Sequence, residues 1–234
     1  MSDKRLFIHI PKNAGMTIRH GSTGGPLRDR VQIATKETHI SREYSDKVNE
    51  VMRKSGDHHG WEHARWRDIH PNYRNKMKCF AVTRNPWDRV VSRYFFIKKI
   101  IEVERKEKAT YSDVSSFETW LEERHVWGNK EYYWHRASRG WYPAFDYVTD
   151  EEGNLKCDMM RLEHLNDDLC GYFDIKEMSR ARNVTALNKN SYMDVYTPQT
   201  IQIVADWYQK DIDFWGYDFD SGAKKNYWAL KNES

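Results

Sequence analysis

The chain has 234 residues, enough for one large domain with a buried core. Its 38 Lys and Arg against 35 Asp and Glu give a net charge of +3, which argues against a polycation built to coat nucleic acid. The mean hydropathy of -0.93 lies at the polar end, yet 10 Trp, 14 Tyr and 9 Phe exclude a disordered chain and predict a core walled by rings.

The first apolar run, Leu6 to Ile10, predicts a buried strand that ends at Pro11. PKNAGMT follows it. The glycines of GSTGGP, Gly21 to Pro26, mark a loop, so the helix opening near Gly15 is predicted to be brief. Val31 to Ile40 mixes β-branched and polar residues and reads as a strand. Ser41 to Lys54 reads as a helix, with Tyr44, Val48 and Val51 at helical spacing.

A histidine-rich loop, DHHGWEH, leads to a second buried strand, Lys78 to Thr83. Pro86 then opens a long helix, drawn to about Lys108, whose apolar face includes Val90, Val91, Tyr94, Ile97 and Ile101. Another helix is predicted over Ser116 to Glu123. Phe145 to Thr149 and Lys156 to Met160 flank DEEGN and read as a hairpin. A last helix starts near Pro198, capped by Thr197.

The cysteines, Cys79, Cys157 and Cys170, form no CxxC pair, so reduced thiols are expected. No run of about 20 apolar residues offers a membrane span, and the amino terminus lacks a leader pattern. A cytoplasmic protein without a membrane partner is the expectation. No repeat or linker divides residues 1–234, and one α/β domain is predicted, with a central parallel sheet flanked by helices.

Two segments carry chemistry. A strand running into PKNAG places backbone amides at a tight loop and a helix start, which is an anion site. Lys12 adds a positive charge, Gly15 permits close backbone approach and Thr17 offers a hydroxyl. The loop is P-loop-like in position, but the lysine precedes the glycine, so it is not a Walker A loop. Arg84 ends the second strand and Ser92 lies about two turns into the next helix. At that place an arginine either receives phosphate or pairs with Asp88 or Glu118.

Together, LFIHIPKNAGMTIR and KCFAVTRNPWDRVVSRYFF resemble the phosphosulfate and phosphate signatures of sulfotransferases that use 3'-phosphoadenosine 5'-phosphosulfate (PAPS). The likeness is to the carbohydrate branch that includes heparan sulfate 2-O-sulfotransferase. CDMMRLEHL and YTPQTIQIVADWYQKDIDFWGYDF extend it towards the carboxyl end. The resemblance implies that Lys12 serves the sulfuryl group, and that the loop, Lys12 to Thr17 with Asn13, Ala14, Gly15 and Met16, holds the 5'-phosphate. It assigns the 3'-phosphate to Arg84 and Ser92, and further nucleotide contacts to Lys189 and Ser191. Asn13 and Met16 depart from the Thr and the Thr or Ser that the family motif carries.

The resemblance also implies a general base, for which a neutral histidine suits an alcohol acceptor. His63 is the candidate because HARWRDI matches the family's histidine before a short helix; Glu62 is the alternative. The histidine cluster also admits a metal, but neither HExxH nor a cysteine partner is present, and no metal is expected. On the acceptor side, His59 and the ring-rich stretch with Arg136 and Arg139 are candidates to meet an anionic glycan or a small hydroxyl compound. The competing readings are a nucleotide phosphotransferase that needs Mg²⁺ and a non-catalytic module for polyanions or nucleic acid.

Overall fold

Four short strands, all parallel, form the centre of the computed structural model in the order β2-β1-β3-β4. The structure describes residues 4–56, 58–104, 112–178 and 192–229. In chain order the elements are β1 (Arg5–Phe7), α1 (Gly15–Gly24), β2 (Val31–Ile33), α2 (Arg42–Lys54), α3 (Pro71–Arg74), β3 (Cys79–Thr83) and α4 (Pro86–Lys99). They continue with α5 (Phe117–Leu121), α6 (Glu123–Trp127), α7 (Phe145–Val148), β4 (Asp158–Arg161), α8 (Leu165–Phe173), α9 (Pro198–Trp207) and α10 (Gln209–Trp215).

Strand alternation divides the core in two. Leu6, Ala81 and Met159 face one layer, packed on Trp87, Val90 and Val91 of α4, while Phe7, Phe80, Val82 and Met160 face the other, packed on Ile18 of α1 and Leu169 and Phe173 of α8. The sheet winds away from the β1–β3 pair in both directions. That pair is therefore the switch point, and the loops leaving β1 and β3 stand side by side at the carboxyl ends of the strands, where an open parallel sheet collects ligands.

The caps follow the sequence. Ser41 accepts from the Tyr44 amide at the start of α2, and Asn85 accepts from the Trp87 and Asp88 amides at the start of α4. Thr197 and Thr200 form a reciprocal capping pair at α9.

Several expectations are corrected. The helix after the first loop is not brief: α1 runs ten residues, through Gly21, Ser22, Thr23 and Gly24. Gly21 is buried with Leu27 and Met178 close by, so an added Cβ would sit 3.1 Å from Leu27 Cδ1. The Ser22 and Thr23 hydroxyls bond back to the Arg19 carbonyl. Strand β2 stops at Ile33 and is followed by a turn, Lys36–Thr38, rather than reaching Ile40. No hairpin of two strands flanks DEEGN. Phe145–Val148 is a helical turn, a single Thr149–Leu155 bridge closes the loop, and β4 pairs in parallel with β3 instead. The long helix is α up to Lys99 and π-helical over Ile100–Glu104; the stretch drawn on to Lys108 lies outside the described residues. The carboxyl-terminal helix breaks at Tyr208 into α9 and α10.

Candidate active site

The loop between β1 and α1 is held in an unusual shape. Lys12 and Ala14 both take positive φ, 68° and 59°, a left-handed conformation that costs a residue with a Cβ about 1–2 kcal/mol. Three side chains, one from the loop and two from the segment that follows β3, hold it there. Asn13, fully buried, donates from Nδ2 to the Val82 carbonyl of β3 at 2.8 Å. Arg84 donates from Nη1 to the Lys12 carbonyl at 2.8 Å, and Arg89 of α4 donates from Nε to the Pro11 carbonyl at 3.2 Å. Asn13 thus anchors the loop from behind through its side-chain amide.

The loop delivers the chain into α1 with its first-turn amides free for an anion. Ala14 provides no side-chain cap, and no acidic residue occupies the first turn. Met16 is exposed and Thr17 half-buried on that turn. Gly15 has a different neighbour from the one its freedom suggests: the His9 ring lies over it so closely that a Cβ would fall 1.6 Å from Nε2.

Cations gather behind the loop. The Lys12 ammonium lies over the Phe96 ring at 4.2 Å. Its pKa is lowered to about 8 by burial and by the charges of Arg84, Arg93 and Lys99. Arg93 is buried and bonds to the Gly140 carbonyl and, at 2.9 Å, to the Tyr208 hydroxyl, beside the Trp141 ring. A site with this much positive charge out of water suits a polyanionic ligand. Arg84 also takes Asp88 in a bidentate pair, with both bonds at 2.7 Å. Of the two partners the sequence left open, Asp88 is the one it meets. Ser92 is buried on α4 two turns along.

His63 ends a short turn, Trp61–His63, and is buried. Its Nδ1 lies 2.9 Å from the His9 carbonyl. A carbonyl only accepts, so Nδ1 carries the proton and the neutral ring keeps its lone pair on Nε2. Burial pushes the His63 pKa down, against the Glu62 charge and the His9 bond. The two histidine rings are 4.2 Å apart, which ties His63 through His9 to Gly15 and the loop.

Glu62, the alternative base, pairs with Arg19 of α1 at 3.5 Å. Burial raises its pKa, but His63, its own backbone amide, Arg19 and His58 bring it below the usual range. The turn is itself braced: His135, fully buried, donates from Nδ1 to the Gly60 carbonyl at 2.8 Å and meets the Tyr44 hydroxyl at Nε2.

The structure therefore brings Lys12, Asn13, Ala14, Gly15, Met16, Thr17, His63 and Arg84 together around the β1–β3 switch point, with Ser92 on the adjoining helix. His59 is stacked on Trp61 at 3.6 Å and lines an open cavity with Asp46, Asn49 and Glu50 of α2. Arg136 and Arg139 are 3% and 4% exposed and lie over Tyr133 and Trp127, so they belong to the packed ring layer rather than to an open rim. Lys189 and Ser191 lie outside the described residues.

Sequence reasoning missed His9, Phe96, Arg89 and Arg93. A legible signal for His9 was there: it is the one polar side chain within the apolar run before the loop.

A model of the protein family described as "Sulfotransferase family" matches residues 2–218. No curated protein and no solved structure matches the chain. Among the described residues, no helix is long and apolar enough to cross a membrane.

Proposed function

This chain belongs to the sulfotransferase family, and we propose that it moves the sulfuryl group of PAPS to an acceptor hydroxyl, with His63 as general base. The observation that carries the reading is the convergence of an uncapped α1 amino terminus with the half-buried cations Lys12 and Arg84 at one switch point. Residues Lys12 to Thr17 would hold the 5'-phosphosulfate, with Arg84 and Ser92 at the 3'-phosphate. Lys189 and Ser191 are assigned to the same nucleotide on the motif alone.

The chemistry needs no covalent enzyme intermediate. The acceptor oxygen attacks sulfur as its proton passes to His63 Nε2, and the bond from sulfur to the phosphate oxygen breaks. The Lys12 ammonium stabilises the negative charge that develops on that leaving oxygen. The His9 carbonyl holds the His63 proton on Nδ1, and it stabilises the imidazolium once the second proton arrives. No step calls for a metal.

The acceptor is proposed to be a carbohydrate or a small hydroxyl compound, on the strength of the motif likeness. With Arg136 and Arg139 packed on rings, anionic groups of the acceptor have to be met elsewhere on the cleft.

The test is incubation with radiolabelled PAPS and a panel of sugar and phenolic alcohols. Label moving to an acceptor in the wild type and not in His63→Ala supports the reading. Hydrolysis of PAPS without transfer to any alcohol counts against it.

A further inference from the structure

The histidine loop carries a group of donors that the transfer reaction does not use. One ligand atom each from His58, His59 and Glu62 lies within 4.8 Å of the others. His58 is exposed and His59 and Glu62 are half-buried, so the group is open to solvent yet supported by protein on one side. The His58 and His59 rings lie 3.8 Å apart, and His59 is fixed against Trp61. The cavity beside them is walled by Asp46, Asn49 and Glu50 of α2.

We propose that His58, His59 and Glu62 form a binding site for a divalent transition-metal cation of the zinc class, on the outer side of the turn that carries His63. This goes beyond the transferase reading and does not depend on it. Two imidazoles and one carboxylate are a borderline donor set that suits Zn²⁺, Ni²⁺ or Cu²⁺, whereas Mg²⁺ and Ca²⁺ take oxygen donors. With bonds of about 2.0–2.1 Å to zinc, ligand atoms stand about 3.4 Å apart. Binding draws the three donors together from the present spacing, and water completes the coordination from the cavity side.

Three local contacts give way when the ion binds. The Gly60 and Trp61 amides donate to His58 Nδ1 and His59 Nδ1 at 3.2 and 3.4 Å, which are long hydrogen bonds and poor competitors for a metal bond. The Arg19 guanidinium, half exposed, is 3.5 Å from Glu62 and is free to swing into solvent. The bound ion would join both ends of the loop segment just before His63, and so brace that turn from outside as His135 braces it from within.

Calorimetric titration of the chelator-treated 234-residue chain with Zn²⁺ alone tests this, with no nucleotide present. The expected result is one saturable site per chain, no heat with Mg²⁺, and a Co²⁺ complex whose visible absorption is lost on adding Zn²⁺. His58→Ala and Glu62→Gln should each weaken Zn²⁺ binding by about tenfold or more. His125→Ala, an exposed histidine elsewhere, should leave it unchanged. His58 is a surface residue, so its loss does not threaten folding. Absence of a saturable Zn²⁺ site, wild-type affinity in His58→Ala, or an equal loss in His125→Ala would overturn the proposal. Failure of PAPS turnover would not bear on it.

Discussion

His63 donates from Nδ1 to the backbone carbonyl of His9 across 2.9 Å, and through that bond the histidine loop is fastened to the segment between β1 and α1. The bond sets the tautomer and holds Nε2, the nitrogen proposed to take the acceptor's proton, near a loop about 50 residues away in sequence. His63→Ala is therefore expected to reduce turnover about 10²–10⁴-fold, while leaving PAP affinity unchanged. Steady-state kinetics alongside calorimetric PAP binding check the split. Unchanged turnover removes His63 from the mechanism.

Lys12 gives a pH signature. Its pKa is lowered to about 8 by burial and by Arg84, Arg93 and Lys99. The ordinary value is about 10.4, so between the two the folded chain sheds a proton that the unfolded chain retains. On the binding side, kcat/KM for the donor is expected to fall about tenfold per pH unit above about pH 8 as the ammonium is lost. Lys12→Arg, which keeps its charge, should remove that falling limb. The stability contribution has the opposite sense: protonated Lys12 is the less favourable form in the fold, so its contribution rises with pH from about 8 to about 10.4. A wild-type kcat/KM that stays flat to pH 10 contradicts the assignment.

Gly15 and His9 should behave as a coupled pair. A Cβ at Gly15 overlaps the His9 ring, and Gly15→Ala is expected to destabilise the chain by about 1–3 kcal/mol and to weaken PAP binding. His9→Ala relieves the overlap, so the double variant should recover part of the loss in a denaturation cycle. Additive losses would show that the two residues do not share this contact.

Much of this arrangement was legible in the chain. The apolar runs at Leu6 and Cys79 gave the two central strands, and Pro86 with the apolar face from Val90 gave α4. The glycines of GSTGGP misled because they read as flexibility. Gly21 in fact serves close packing on Leu27 inside α1, a tertiary reason that local propensity does not report. The DEEGN turn was read correctly as a turn, but its neighbours do not pair with each other. The partner of β4 is β3, a parallel strand over 70 residues earlier, and such long-range pairing leaves no turn signal. At the candidate site, Lys12 and Arg84 were picked out from type and position, and the structure places them side by side, with Arg84 bonded to the Lys12 carbonyl. His9 was not, because its role depends on a ring laid over a glycine six residues later. Arg136 and Arg139 were read as acceptor contacts because cations among rings suit an anionic glycan, and here neighbouring rings cover them.

Asp88 occupies the fork of Arg84 with two bonds at 2.7 Å. A 3'-phosphate has to share or displace it. Asp88→Asn is expected to tighten PAP binding without tightening AMP binding, read by calorimetry at fixed ionic strength. Equal gains for both nucleotides would mean that the 3'-phosphate does not meet Arg84.

The most direct measurement is the affinity of the wild-type chain for PAP against AMP in buffer containing a chelator. The account predicts that PAP binds at least about tenfold tighter, a preference of about 1.4 kcal/mol for the extra phosphate, and that Arg84→Ala abolishes it. Equal affinities for PAP and AMP would contradict the account at its centre.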